Sequence, residues 1–350
     1  MTLVTRPIRQ LRLNTVGDPL QALSLVTVED LAPGAGQVLV EVEAAPINPS
    51  DLYYASGNYL LRPEPPVGVG AEGSGRVTAV GSGVDHALIG RRVILLPTYR
   101  YGTWATHVVA DVADVVVAPD DIDVLQLAMV GINAMTAHQL LRGYGNPAAS
   151  NRWIGQTAGN SGVGEYVVKM SKRLGYKTLS IVRRQAAADQ VYSWGGDRVV
   201  IQGDGLAEDL AAALGGARLD IAVDSVGGPA STALAHHLDY SGTLIAYGAQ
   251  SGQPPVIKPF ELIGNHSRLT GFWLKNWLDH THPDEVSRAY GEVVGMVADG
   301  VIDAQIERTM GLDDWPEALS LAQEAGRIGK IVFTPKSGPH TPRTEHSSNK

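Results

Sequence analysis

The hydrophobic pattern changes along the chain, from short alternating runs to a regular succession of strands and helices. Apolar and polar residues alternate in period two over residues 37–43 and, less strictly, over residues 75–81, with Pro and Gly between such runs. Further on, short apolar runs alternate with segments of helical periodicity. The first pattern predicts a small β-barrel-like domain, and the second predicts a doubly wound parallel sheet, so we expect an α/β fold.

The predicted elements divide the chain into two domains and a tail. The strands expected in the parallel sheet are residues 178–182, 198–201, 219–224, 242–247 and 269–274, with helices at residues 186–194, 206–214 and 230–238. Helical patterns also cover residues 122–141, 284–298 and 315–325, and residues 330–333 form a closing strand that should rejoin the first domain. We predict one domain from residues 1–125 plus 300–335, a second from residues 126–299, and a disordered polar tail over residues 336–350.

Composition narrows the class of protein. The 350 residues are 44% hydrophobic and 18% charged, which is typical of a globular protein of two domains. No apolar run approaches the roughly 18 residues of a membrane span, and no signal-peptide pattern opens the chain, so we expect a cytoplasmic protein. A net charge of −8 argues against a nucleic-acid partner. The absence of cysteine excludes disulfides, thiolate catalysis and thiolate metal sites.

A glycine-rich segment predicts a dinucleotide site. Gly159, Gly162 and Gly164 lie between a predicted strand and a predicted helix, where glycine lets the backbone approach a pyrophosphate at a helix N-terminus. The next strand ends in Arg183 and Arg184 instead of the acidic residue that would bind a ribose 2′-hydroxyl. Arginine favours a 2′-phosphate, so the predicted coenzyme is NADPH.

Several segments carry a family resemblance over nearly the whole chain. Residues 33–40 and 47–51 resemble the GroES-like barrel of the medium-chain dehydrogenase/reductase superfamily. Within that superfamily, the chain resembles the mitochondrial-type trans-2-enoyl thioester reductases at residues 48–51 with 57–59, 160–164, 181–183 and 271–274. The resemblance implies a GroES-like catalytic domain and a Rossmann domain for NADPH.

The resemblance also places the chain in the zinc-free branch. A catalytic zinc needs three protein ligands of Cys, His or carboxylate type. Asn48 stands where the zinc enzymes carry their first cysteine, and Ala71 precedes Glu72 where they carry histidine. We therefore expect no metal.

The implied reaction is reduction of the 2,3 double bond of an acyl thioester of coenzyme A or acyl carrier protein. By resemblance, Tyr59 donates the proton to Cα after hydride adds to Cβ, and a tyrosine of ordinary pKa near 10 can do so without activation. The alternative is that Tyr59 is one of several loop aromatics that only pack. Asn48 could orient substrate or nicotinamide, or be a turn residue before Pro49.

The same resemblance implies a coenzyme-binding set. Its members are Asn133, Asn160, Ser161, Gly162, Val163, Arg183, Arg184, Tyr247, Gly248, Phe272, Trp273, Leu274 and Lys330. Phe272 and Leu274 could instead be strand core, Tyr247 a strand-end aromatic, and Lys330 a solvated side chain.

Two other functions remain open. An NADPH:quinone oxidoreductase or general enone reductase could use the same fold, and so could an NADPH-binding protein without activity. The resemblance also implies a homodimer, in which the edge strand predicted at residues 269–274 pairs with its copy.

Overall fold

The computed structural model describes residues 7–29, 31–145, 152–324 and 326–335. The chain divides into two compact units, one comprising the described residues of Met1–Gly131 and Gln305–Lys350, the other those of Ile132–Ala304. The predicted boundaries at residues 125 and 299 lie a few residues before these. The tail predicted over residues 336–350 lies outside the described residues.

The elements are numbered in chain order. The strands are β1 Ile8–Leu13, β2 Leu23–Val28, β3 Gln37–Pro46, β4 Val67–Gly68, β5 Gly73–Val80, β6 Arg92–Leu95, β7 His107–Asp111, β8 Val115–Val117, β9 Trp153–Gln156, β10 Lys177–Val182, β11 Arg198–Ile201, β12 Leu219–Asp224, β13 Leu238–Ala246, β14 Arg268–Gly271, β15 Ile306–Met310 and β16 Lys330–Phe333. The α-helices are α1 Pro19–Ala22, α2 Pro49–Ala55, α3 Val124–Ala128, α4 Met135–Tyr144, α5 Gly162–Leu174, α6 Gln185–Ser193, α7 Leu206–Leu214, α8 Gly228–His236, α9 Pro259–Gly264, α10 Leu274–His280, α11 Pro283–Ala298 and α12 Trp315–Gln323. None of the helices in these parts of the chain is long and apolar enough to cross a membrane.

The first unit is a β structure built around β3. This strand buries Val38, Val40 and Val42 on one face, as its alternating pattern requires. Its sheet follows the order β15-β16-β3-β5-β6-β8, with β7 also paired to β3, and a second sheet has the order β2-β1-β4. Because β16 pairs with the end of β3, Val332 lies opposite Pro46, and the start of β16 is brought close to the chain that leaves β3.

The second unit is a parallel sheet in the order β11-β10-β9-β12-β13-β14. Each of its neighbouring strand pairs is parallel. The strand order reverses at β9, and the glycine-rich segment follows that strand, which is where doubly wound sheets bind ligands. The predicted α/β fold with a β domain and a Rossmann domain is confirmed.

The strand predicted at residues 242–247 begins at Leu238, so the helix predicted to end at Leu238 ends at His236. Two further predicted elements differ more from the structure. The strand predicted at residues 269–274 ends at Gly271, because Trp273 is the N-cap of α10 and Leu274 its first residue. The helix predicted over residues 122–141 is interrupted by a π-helix, Val130–Ala134. Apolar periodicity identifies a buried helical face, but it does not distinguish one regular helix from two joined by a wider turn.

Candidate active site

Asn48 is the centre of a buried polar cluster in the first unit. It leaves β3 and is the N-cap of α2, and its side chain is 2% exposed. Its Nδ2 donates to Glu72 Oε1 at 2.6 Å, and its Oδ1 accepts from Lys330 Nζ at 2.5 Å. The amide is therefore held from both ends, so Asn48 has more contacts than a turn residue alone would need.

Asp51 lies beneath this cluster, one turn along α2. Its Oδ2 accepts from the Asn48 backbone N–H at 2.8 Å, and its Oδ1 accepts from the Ala71 N–H at 3.0 Å. Burial raises the pKa of Asp51 to about 7, although these two hydrogen bonds and the Lys330 charge act in the opposite direction. The cluster thus contains a carboxyl that changes charge near neutral pH.

Tyr59 belongs to an aromatic group in the same unit. Gly57, with φ of +76°, turns the chain after α2, and Tyr59 follows two residues later, half-buried. Its ring centroid is 5.6 Å from that of Tyr99, which in turn is 5.3 Å from that of Tyr54. The Tyr59 side chain therefore packs within this aromatic group, as the alternative interpretation of a loop aromatic expects.

The glycine-rich segment of the second unit forms the start of α5. Ser161 caps this helix, because its Oγ accepts from the Gly164 N–H at 3.1 Å. A Cβ at Gly159 would lie 2.5 Å from Ser180 Cβ, so only glycine lets this turn pack on β10. Asn160, Ser161 and Gly162 are half-exposed, and Val163 is buried. The first N–H groups of a helix have no acceptor within it, so they can bind an anion.

The acidic residue in the first turn of α5 is neutralised. Lys169 Nζ lies 2.6 Å from Glu165 Oε1 and 2.6 Å from Asp303 Oδ1. Without Lys169, the Glu165 carboxylate would oppose an anion at this helix end. The start of α5 is therefore electrostatically compatible with a phosphate.

Arg183 and Arg184 directly follow β10 at the same edge of the sheet. Both side chains are exposed, and neither forms an ion pair with any residue of the described ranges. The next residue, Gln185, donates to Asp189 and begins α6. Two guanidinium groups are thus available for an anion at the position where NAD-binding sheets carry an acid.

Tyr247 supplies an unsatisfied buried group beside the same turn. Its Oη is buried and makes no hydrogen bond of ordinary geometry to the residues that the structure describes, although Ser161 and Ser225 lie beside it. Burial raises the pKa of this hydroxyl, so it remains a donor. A Cβ at Gly248 would lie 2.8 Å from the Ser225 carbonyl oxygen, which explains the glycine. The Tyr247 hydroxyl, the first N–H groups of α5 and the two arginines after β10 together fit a phosphorylated dinucleotide.

The remaining predicted coenzyme residues have different surroundings. Phe272 is half-buried with its ring 6.5 Å from that of Tyr144 at 85°, and Trp273 is half-buried at the N-cap of α10. Leu274 is 6% exposed, as expected of a core residue, and Asn133 is buried in the π-helix. Lys330 lies in the first unit on Asn48 and is not a solvated side chain.

Sequence reasoning missed three groups near Asn48 and Tyr59. In the sequence, Glu72 is marked only by its place after Ala71, Asp51 only by its place in the segment 48–51, and Tyr99 is one of several loop aromatics. For Asp51 a signal existed, because an acid three residues after an N-cap can form a capping box. Glu72 and Tyr99 are brought to the site by strand pairing and loop conformation, which carry no local signal.

Comparison with known proteins gives consistent matches. The model of the alcohol dehydrogenase GroES-like domain matches residues 34–120, and that of the zinc-binding dehydrogenases matches residues 162–292. The mitochondrial enoyl-[acyl-carrier-protein] reductase of Rattus norvegicus is 32% identical over 338 residues, covering 93% of this chain and 88% of the relative.

Solved structures share the whole fold. A mycobacterial quinone oxidoreductase has a TM-score of 0.83 at 26% identity, covering 94% of this chain and 100% of its own. The mitochondrial 2-enoyl thioester reductase Etr1p/Etr2p heterodimer from Candida tropicalis has a TM-score of 0.82 at 23% identity, with the same coverage, and supports the fold alone.

Proposed function

Because the chain belongs to the zinc-free enoyl reductases of the medium-chain dehydrogenase/reductase superfamily, we propose that this oxidoreductase uses NADPH to reduce trans-2-enoyl thioesters. The acyl chain would be carried by coenzyme A or acyl carrier protein. The observation that carries the proposal is the half-buried side chain of Tyr59, packed on the Tyr99 ring, in a chain 32% identical to an enoyl-[acyl-carrier-protein] reductase.

In this proposal the second unit holds the coenzyme through four groups. The start of α5 and the Tyr247 hydroxyl bind the pyrophosphate region, while Arg183 and Arg184 bind the 2′-phosphate. NADPH, when bound, supplies the hydride that adds to Cβ of the substrate. Two features of the second unit support this binding of NADPH. The Tyr247 hydroxyl has no hydrogen bond of ordinary geometry within the described residues, and no acidic residue directly follows β10.

The first unit supplies the proton. Addition of hydride to Cβ leaves negative charge on Cα and the thioester oxygen, and Tyr59 gives its proton to Cα. A tyrosine is protonated at neutral pH, so it needs no prior activation for this step. We propose that Asn48 orients the substrate through its side-chain amide. The direction of that amide is fixed by its hydrogen bonds with Glu72 and Lys330.

A second candidate is reduction of quinones or simple enones. The mycobacterial quinone oxidoreductase, 26% identical over nearly the whole chain, favours it. A quinone also accepts hydride and then a proton, so the coenzyme site does not separate the two functions. The acceptor, and the need for Tyr59, must be tested directly. An NADPH-binding protein without activity would turn over neither acceptor.

The decisive experiment compares wild type and Tyr59→Phe with trans-2-hexenoyl-CoA and with a benzoquinone, following NADPH oxidation. We expect the wild type to favour the thioester and Tyr59→Phe to lower its kcat by about 10²- to 10⁴-fold, the usual contribution of a positioned acid. NADPH binding, measured by fluorescence, should be unchanged. Activity confined to the quinone, or insensitive to Tyr59, would instead favour the quinone reductase.

We also propose a homodimer formed at β14. This strand is at the end of its sheet in the described unit, and Leu269 on it is exposed. The neighbouring helix α9 exposes 90% of Phe260 and 76% of Ile263, an apolar surface that a second copy would cover. The cytoplasmic location remains a prediction, since the curated relatives are named as mitochondrial.

A further inference from the structure

A buried side-chain bridge joins two turns at the point where the strand order of the parallel sheet reverses. Strand β12 pairs with β9 so that Val223 lies opposite Gln156. The residues after this last pair are Asp224 and Thr157, which are 0% and 1% exposed. The Thr157 hydroxyl donates to Asp224 Oδ1 at 2.7 Å. This contact, the Thr157–Asp224 bridge, connects the chain that leaves β9 to the chain that leaves β12.

The same two side chains hold the backbone of the turn after β12. Asp224 Oδ1 accepts from the Val226 N–H at 3.0 Å, and Asp224 Oδ2 accepts from the Gly227 N–H at 3.0 Å. Thr157 Oγ1 accepts from the Ser225 N–H at 3.0 Å. Three consecutive backbone N–H groups are therefore fixed by one carboxyl and one hydroxyl.

The bridge lies at the carboxyl ends of β9 and β12, which form the crevice where a doubly wound sheet binds its ligand. The chain after β9 continues into the glycine-rich segment and α5, and the chain after β12 continues into α8. Tyr247, just after β13, donates its backbone N–H to the Asp224 carbonyl oxygen at 2.8 Å. Both turns that are proposed to bind the pyrophosphate region are thus connected to the same residue.

We propose that Thr157 and Asp224 are positioning residues for the coenzyme, which hold the turn after β12 against the glycine-rich turn before NADPH binds. The inference rests on the proposed function, in which the second unit binds NADPH. The Thr157 hydroxyl and the Asp224 carboxyl are buried and hydrogen-bonded to each other and to the backbone. The two residues therefore act through the turns that they hold, and not by contact with the coenzyme.

The energetic reason is that a preformed turn need not be ordered when the coenzyme binds. Removing the Thr157 hydroxyl takes an acceptor from the Ser225 N–H and a donor from Asp224 Oδ1. The released turn would then adopt other conformations, and the apparent affinity falls with the fraction of molecules that are competent to bind. The arginines of residues 183–184 follow β10, on the other side of β9 from β12. NADPH and NADH should therefore be affected alike.

The test uses Thr157→Val, which keeps the branched shape and removes the hydroxyl. We expect NADPH and NADH each to bind about 5- to 100-fold more weakly in fluorescence titrations, the range for leaving a buried polar group unsatisfied. Thr157→Ser, which keeps the hydroxyl, should bind both coenzymes within about threefold of the wild type.

Thr178→Val is the matched control for loss of a buried threonine hydroxyl from the same sheet. Thr178 is 1% exposed, and its Oγ1 accepts from the Asp197 N–H at 3.1 Å. It lies near the start of β10, at the edge of the sheet opposite the crevice. This variant should lower the urea midpoint of unfolding, as Thr157→Val does, but leave the affinity for both coenzymes unchanged.

Three results would overturn the role of the bridge and leave the proposed function intact: wild-type affinity in Thr157→Val, an equal loss in Thr178→Val, or a loss confined to NADPH. Hydrogen exchange of the wild type tests the same inference without a variant. The amides of residues 225–227 should exchange slowly before NADPH is added and change little afterwards. Fast exchange that slows only with NADPH would show that the turn is not preformed. A wild type that does not bind NADPH would overturn both this inference and the proposed function.

Discussion

We propose that Arg183 and Arg184 are the residues that select NADPH over NADH. They follow β10 side by side, exposed and without an ion pair in the described residues, whereas an acid in their place would select NAD. The 2′-phosphate of NADPH is the one group that NADH lacks. We therefore expect discrimination between the coenzymes to depend on these guanidinium groups and not on the glycine-rich turn, which is proposed to bind the pyrophosphate that both coenzymes share.

We expect Arg183→Ala and Arg184→Ala each to weaken NADPH binding. The loss should be about 10- to 100-fold for the arginine that interacts more strongly with the 2′-phosphate. NADH binding should change by less than about threefold. Titration of protein fluorescence with each coenzyme measures both constants. Arg173→Ala is the control, because Arg173 is an exposed arginine of the same unit that pairs with Asp299. Equal losses for NADPH and NADH would contradict the assignment.

At the scale of an element, α2 links the Asn48 cluster to the stability of the first unit. Its N-cap is Asn48, its third residue is Asp51, and the Asp51 carboxyl joins the helix start to the Ala71 backbone. The pKa of Asp51 is raised to about 7, chiefly by burial, above the value of 3.8 for a free carboxyl. The folded chain thus binds this proton more tightly than the unfolded chain does.

The sign of the pH effect follows from this difference. Below pH 4 both states are protonated and the contribution is complete, while between pH 4 and 7 only the folded state keeps the proton. We therefore expect Asp51 to lower the free energy of unfolding by up to about 1.4 kcal/mol per pH unit over this window. Urea unfolding of wild type and Asp51→Asn from pH 4.5 to 7.5 measures it.

The comparison depends on slopes and not on absolute stability, because Asp51→Asn also loses an acceptor for one backbone N–H. The variant should lack the decline with pH that Asp51 contributes to the wild type. Asp18→Asn is a control for removing a carboxyl from the exposed N-cap of α1. Parallel slopes for wild type and Asp51→Asn would show that Asp51 is already ionised at pH 4.5.

At the scale of the whole molecule, the exposed apolar residues of the second unit bear on assembly. Phe260 and Ile263 on α9 and Leu269 on β14 are more exposed than is usual for large apolar side chains. A strand at the end of a sheet also presents backbone groups that can pair with another chain. If two copies joined their β14 strands, the second copy would cover the apolar side chains and pair the backbone groups of the strand.

We expect light scattering of the wild type to give about twice the chain mass of 37.1 kDa. Leu269→Glu should shift the protein toward the monomer, because a carboxylate covered by the second copy would be costly to desolvate. Ile89→Glu, which alters an exposed apolar residue of the first unit, should leave the mass unchanged. A wild-type mass near 37 kDa would contradict the proposed dimer.

The sequence by itself determined the fold class and located the glycine-rich turn between β9 and α5, because both depend on short-range patterns. The alternation in β3, the strands of the parallel sheet and the spacing of Gly159, Gly162 and Gly164 are local features, and local sterics and periodicity are enough to interpret them. The arginines after β10 are equally local, since they follow the strand directly. These parts of the site could be located without any tertiary contact.

Only the tertiary structure decided how the polar groups are partnered. Lys330 is 282 residues from Asn48 in the chain, yet it donates to the Asn48 amide because β16 pairs with the end of β3. Glu72 reaches the same amide from a different strand, and Tyr99 meets Tyr59 through a left-handed loop residue. Spacing along the sequence contains no information on such long-range contacts, because they are set by which strands pair and by which loop conformation the packing enforces.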